Sequence, residues 1–318
     1  MSEAQPYRAP AWLPGGQAQT IYPLLIKPPL PIYRRERWDT PDSDFIDVDW
    51  VDAPPPAPLL VLFHGLEGSS ASHYAVALMA AAQTAGWSGA VVHFRGCSGE
   101  PNRLPRAYHS GDSAEIDWVL RRLRARFPQQ HLCAAGVSLG GNALLKWLGE
   151  QELAAGAVVD AAAAISAPLD LAACGHHLDR GFNRIYTRHF LGTLKRDAVA
   201  KLARFPGLFD GTRMARAQNL YEFDDVVTAP LHGFRDADDY WRRASAKPWL
   251  RGIRVPTLLL NALNDPFLPA QALPRTVELA DAVCQETPRD GGHVGFVSGR
   301  WPGRLDWLPQ RLLAFFAG

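Results

Sequence analysis

Little in this chain favours binding driven by charge. Its 33 basic and 32 acidic residues leave a formal charge of +1, so no nucleic acid and no anionic membrane surface is expected as a partner. The one early basic cluster is Lys27 with Arg34, Arg35 and Arg37. Cysteine is scarce, with four in 318 residues. Cys97, Cys133, Cys174 and Cys284 form no C-x-x-C pair, which argues against zinc-knuckle and thioredoxin-type chemistry. Their apolar or turn surroundings predict reduced packing residues. No apolar run approaches the roughly 20 residues that a membrane-spanning helix needs. The first residues, from Met1 to Tyr7, have neither the basic nor the apolar segment of a signal peptide. The expectation is a soluble cytoplasmic protein with no integral membrane segment. Phosphate loops of the G-x-x-x-x-G-K-[ST] kind and the G-x-G-x-x-G fingerprint are absent. No cofactor and no metal are expected, and no internal repeat or low-complexity tract is found.

What the chain has is apolar residues, 47% of the total against 20% charged, enough for a sizeable core. Residues 1–33 are rich in proline, which fixes φ and removes a donor, so they read as irregular chain over a folded body. Arg34–Thr40 and Asp44–Trp50 alternate around Pro41-Asp42-Ser43 and predict a β-hairpin. Continuous apolar runs then recur at Leu59–Phe63, Ala90–Phe94, Leu132–Val137 and Ala161–Ser166. Between them lie helical patterns at Ser72–Ala85, Asp112–Phe127 and Asn142–Glu150. Apolar strands alternating with helices predict an α/β fold with a mostly parallel central sheet covered on both faces. The rhythm breaks from about Leu171 to Ser245, a segment rich in arginine and aromatics from Phe182 to Trp241. It reads as a helical insertion. Strands resume at Pro256–Ala262 and Ala282–Thr287, and Leu305–Phe316 closes as a helix. The division expected is a core in two parts, 1–170 and 246–318, with a helical cap at 171–245.

Gly136-Val137-Ser138-Leu139-Gly140 fits G-x-S-x-G. An apolar strand runs into it and a helix leaves it, as a nucleophile elbow requires. Glycines on either side relieve crowding in that turn, and Gly141 allows the helix to pack closely. Ser138 would also stand at a helix N-terminus, where developing negative charge is favoured. A serine needs a base. Among ten histidines, only His293 lies beyond His232, and Gly291-Gly292-His293-Val294-Gly295 suits a loop that presents it. The acid should lie between Ser138 and His293 in sequence. Asp265, in Asn264-Asp265-Pro266 after a strand, is the first candidate and Asp170 its competitor, while Asp281 and Asp290 read as solvated charges. For the oxyanion, donors are expected from the amides of Leu139 and Leu66, the latter in Phe63-His64-Gly65-Leu66-Glu67-Gly68. His64 reads as a loop support. The adjacent pair His176-His177 lacks the spacing of a metal site.

At these residues the chain resembles the YheT-like branch of the α/β-hydrolase superfamily, which includes embryogenesis-associated and abhydrolase-domain proteins. The matching stretches are His64–Ser70, Phe94–Glu100, Pro105–Gly111, Gly136–Glu150, Pro256–Leu268 and Gly291–Val297, with the hairpin Arg34–Asp47. Where the family's hairpin turn reads Asp-Gly-Asp, this chain has Asp42-Ser43-Asp44, taken as a surface change. The resemblance implies a Ser138–His293–Asp265 triad. It also implies an esterase for short- to medium-chain acyl esters, monoacylglycerols among the candidates. An amide hydrolase of the same fold and a non-catalytic binding protein are the alternatives. The oligomeric state is not legible.

Overall fold

The structure is a computed structural model that describes residues 6–318; the first five residues, on which part of the N-terminal reading rests, lie outside it. Eight strands form one sheet in the order β1-β2-β4-β3-β5-β6-β7-β8. They are β1 (Arg34–Asp39), β2 (Phe45–Val51), β3 (Leu59–Phe63), β4 (Ser88–Val92), β5 (Leu132–Val137), β6 (Ala161–Ile165), β7 (Thr257–Leu260) and β8 (Val283–Glu286). The hairpin β1–β2 is antiparallel and joins β4 antiparallel, whereas β3 to β8 run parallel.

Every residue of β3, β5 and β6 is buried, which is why these strands read as unbroken apolar runs rather than alternating ones. Successive side chains still point to opposite faces. Leu59, Val61 and Phe63 pack beneath α3 (Ser113–Arg126) and α4 (Leu139–Gln151). Leu60 and Leu62 face α2 (His73–Thr84) and the last helix, α11 (Trp307–Phe316). On α3 the apolar stripe is Ile116, Val119, Leu120 and Leu123, all fully buried. Trp147 of α4 is buried too and donates its indole N–H to Asp117 at 2.9 Å. Truncating it to alanine should destabilise the fold by about 3–5 kcal/mol.

The register places Phe63 opposite Gly136, Gly136 opposite Ala164, and Ile165 opposite Leu260. The C-terminal ends of β3, β5, β6 and β7 are therefore level, and the loops after them open on one edge, where ligands bind in sheets of this kind. Between β6 and β7 the chain is helical: α5 (Leu171–Leu178), α6 (Arg184–Arg204), α7 (Gly211–Arg216), α8 (Leu220–Phe223), α9 (Ala229–Leu231) and α10 (Ala237–Ala244). A π-helical turn, Asp224–Thr228, joins α8 to α9. No helix among the described residues is long and apolar enough to cross a membrane.

Three local readings change, and one holds. The arm before β1 is not wholly irregular: α1 spans Gly16–Ile21 and a 3-10 turn follows at Tyr22–Leu25. The fourth strand begins at Ser88, two residues early, because β2 pairs with it from Gly89 onward. The hairpin turn keeps its one departure at the surface, since Ser43 is exposed, while the aspartates on either side of it both accept from the Arg95 guanidinium, Asp44 at 3.2 Å and Asp42 at 2.9 Å. Cys133 and Cys174 are buried, but Cys284 lies exposed on the edge strand β8 rather than packed.

Candidate active site

Ser138 links β5 to α4 with φ 51° and ψ −118°, a conformation that costs an L-residue about 1–3 kcal/mol and persists only where neighbours enforce it. They do. The Ser138 amide donates to Ile165 O at 2.8 Å, and its carbonyl accepts from Asn142 N at 3.0 Å. A Cβ on Gly136 would lie 2.5 Å from Gly140 O, and one on Gly140 would lie 2.4 Å from Phe63 O. Only glycine fits at both, so the G-x-S-x-G spacing is a packing requirement here.

His293 stands in the loop after β8. Its Nδ1–H donates to Asp265 Oδ2 at 2.9 Å, and its Nε2 accepts from Ser138 Oγ at 3.0 Å. The carboxylate is completely buried and the imidazole 10% exposed. Asp265 also accepts the Phe267 amide on Oδ1 at 2.8 Å, so both oxygens are engaged. Phe267 then lies flat on the imidazole, ring centres 3.9 Å apart. The three side chains named from sequence are thus within hydrogen-bond reach in one line. Asp170 is not among them: it accepts from Ala173 N at 3.0 Å as the N-cap of α5. Asp281 is exposed. Asp290 is half-buried and accepts from Asn264 Nδ2 at 3.0 Å, so it is not merely solvated.

The loop after β3 abuts the serine; a Cβ on Gly65 would lie 3.2 Å from Ser138 Cβ. Its polar groups are spoken for. Gly65 N donates to Tyr74 Oη and Glu67 N to Tyr108 Oη, each at 2.9 Å. Gly68 N donates to Gly65 O at 2.9 Å. His64 is fully buried, accepts from Phe94 N and donates from Nδ1 to Gly65 O. Burial pushes its pKa down to about 3, so it stays neutral and supports the loop, as its sequence context suggested. Neither the Leu66 amide nor the Leu139 amide has an acceptor among the turn and loop bonds of the described residues. Buried donors are rarely left so, and a ligand oxygen between them would satisfy both.

Ser138, Leu139, Leu66 and His293 line a cavity of about 570 Å³. From the helical segment, Cys174, Phe190, Phe223, Tyr240 and Trp241 also line it. Phe182, by contrast, is 60% exposed. His176 packs against Trp241, and among the described residues no three His, Cys, Asp or Glu side chains could hold a metal ion.

A strained serine, a histidine and a buried carboxylate on the open edge of an α/β sheet define a class of protein. The model of the alpha/beta hydrolase fold matches residues 58–299, and the chain belongs to that family. It is a hydrolase of the esterase and lipase type, in the YheT-like branch. YheT of Escherichia coli (strain K12), an esterase by name, is 44% identical over 282 residues, covering 87% of this chain and 82% of that one. Human phospholipase ABHD3 is 29% identical over 315 residues, covering 96% and 76%. Among solved structures an esterase of Pyrococcus furiosus superposes with a TM-score of 0.59 at 16% identity over 92% of this chain and 97% of that one, a likeness of fold.

Sequence reasoning did not single out Phe267, Tyr74 or Tyr108. Each lies in or beside a recognisable block, but nothing in an isolated sequence reveals that a phenol will cap a loop amide across the fold.

Proposed function

We propose that this chain is a serine carboxylester hydrolase working through an acyl-enzyme. One observation carries the reading: the hydrogen-bonded line Ser138–His293–Asp265 opens into a largely apolar cavity beside two unpaired amides. His293 Nε2 takes the Ser138 proton as Oγ attacks the ester carbonyl, and the carbonyl π electrons move onto oxygen. Leu66 N–H and Leu139 N–H receive that oxyanion, a contribution of roughly 3–4 kcal/mol per donor in other enzymes. The dipole of α4 adds to it. Collapse breaks the C–O bond, and His293 returns the proton to the departing alcohol. Water then repeats the sequence on the acyl-serine and frees the acid. Asp265 keeps the proton on Nδ1, so that Nε2 stays a base. The helical segment from α5 to α10 acts as a cap whose aromatics receive an apolar acyl group. Short- to medium-chain acyl esters fit this lining, monoacylglycerols among them.

The test is covalent. Ser138→Ala should abolish both p-nitrophenyl butyrate hydrolysis and fluorophosphonate labelling while the thermal midpoint stays within a few degrees. Labelling that survives in the variant refutes the assignment.

A further inference from the structure

Helix α1 lies outside the stretch that the family model matches, residues 58–299. It is nevertheless wedged between the two loops that hold His293 and Asp265. The Thr20 hydroxyl accepts the backbone N–H of His293 itself at 2.8 Å and donates to Gly16 O at 2.7 Å. Gln19 Oε1 accepts from Gly291 N at 2.8 Å and from Asn264 Nδ2 at 2.9 Å. Its amide nitrogen donates to Leu13 O at 2.9 Å, which fixes the orientation of the group. Gln19 therefore ties the turn before Asp265 to the loop before His293 through one buried oxygen; Gln19 is 1% exposed and Thr20 8%.

Steric fit says the same independently. A Cβ on Gly295 would lie 2.0 Å from Gln19 O, one on Gly292 would lie 2.8 Å from Thr20 N, and one on Gly16 would lie 1.9 Å from Asn264 O. Three glycines, on both sides of the contact, are what let α1 sit this close. The base loop cannot hold its own shape cheaply: Val294 and Phe296 have φ 57° and 43°, values that L-residues keep only under outside constraint.

We infer that Gln19 and Thr20 are positioning residues that set His293 and Asp265 in register with Ser138. They touch no reacting atom. Their effect is on where the imidazole stands, and an error of about 1 Å there can cost on the order of 100-fold in rate. The inference rests on the triad proposed above, so Ser138→Ala is measured alongside.

The experiment compares Thr20→Val, which keeps shape and removes the hydroxyl, with Thr20→Ser, which keeps the hydroxyl. Thr20→Val should lower kcat for p-nitrophenyl butyrate by about 10- to 100-fold, with KM within about threefold. It should also weaken the downfield proton signal of the His293–Asp265 hydrogen bond. Thr20→Ser should restore both. Gln19→Met removes the bridge and should give the same split. A kcat close to wild type in both variants overturns the inference. So does a kcat loss that only follows the thermal midpoint and is not rescued by Thr20→Ser. If neither Thr20→Val nor Gln19→Met yields folded protein, the bonds are structural and the inference falls. Should Ser138→Ala remain active, it is the triad that has failed; should Ser138→Ala be dead and Thr20→Val normal, only the arm has.

Discussion

Replacing Asp265 by asparagine changes one atom and forces a choice. Both carboxylate oxygens now accept hydrogen bonds, Oδ2 from His293 Nδ1 at 2.9 Å and Oδ1 from Phe267 N at 2.8 Å. Asparagine has one acceptor oxygen for those two donors. If it serves His293, the Phe267 amide is left buried and unpaired, at about 1–3 kcal/mol. If it serves Phe267, its NH₂ faces Nδ1, and the imidazole adopts the tautomer with the proton on Nε2. That tautomer is the cheaper outcome, since it keeps the buried Phe267 amide paired. It also cannot accept the Ser138 proton. The expected loss in kcat is about 10⁴-fold, near 5 kcal/mol of barrier, with stability reduced by no more than about 1 kcal/mol. Asp170→Asn is the control. Asparagine caps a helix nearly as well as aspartate, so α5 should hold and kcat should stay within about twofold. Steady-state hydrolysis of p-nitrophenyl butyrate, with thermal melting of each variant, decides. A deeper loss in Asp170→Asn, or an Asp265→Asn enzyme that keeps more than about a tenth of its rate, would refute the reasoning.

Three further outcomes can be measured. Each buried CH₂ adds about 0.8 kcal/mol, so kcat/KM over p-nitrophenyl esters from acetate to palmitate should rise and then fall as the 570 Å³ cavity fills; a steady rise to palmitate would mean an open groove. Gly140→Ala drives a Cβ to 2.4 Å from Phe63 O and 2.5 Å from His64 O, so melting should drop by about 1–3 kcal/mol and kcat at least tenfold; a normal kcat would show that the Leu66 loop does not depend on this contact. Burial raises the Asp224 carboxyl from 3.8 to about 6. The folded chain then holds this proton more tightly than the unfolded chain, and its contribution to stability is lost as pH climbs through that window. Asp224→Asn should therefore melt above wild type at pH ~8, by about 3 kcal/mol, and level with it near pH ~4; an equal gain at both would point to a cause other than ionisation.

The parts of the fold visible in the sequence are those whose signal is local. Leu59–Phe63 and Leu132–Val137 are buried on both faces and matched β3 and β5 to the residue. Ser138 was marked by glycines whose absent side chains make room for Phe63 and Gly140 carbonyls. Asp265 ranks ahead of Asp170 in the sequence, in Asn264-Asp265-Pro266 and by resemblance, but spacing alone leaves both open because both follow strands; in the fold Asp265 reaches the imidazole and Asp170 caps α5. Helix α1 was invisible for a related reason. Gly16-Gln17-Ala18-Gln19-Thr20-Ile21 has no apolar stripe, and its bonds run to Asn264, Gly291 and His293. Helix α4 starts at Leu139, three residues before the periodicity predicts, because Gly140-Gly141 weakens helical propensity.

The bonds that join arm and base loop are also among the longest in the chain, spanning 290 residues from Tyr7 to Val297 and 273 from His293 to Thr20. The nucleophile's turn, by contrast, is held by β3, β5, β6 and α4, all close to it in sequence. The base is seated by contacts between residues near 20 and residues near 293. A cut between the arm and β1 would therefore unseat the base while the nucleophile's turn kept every contact that enforces it.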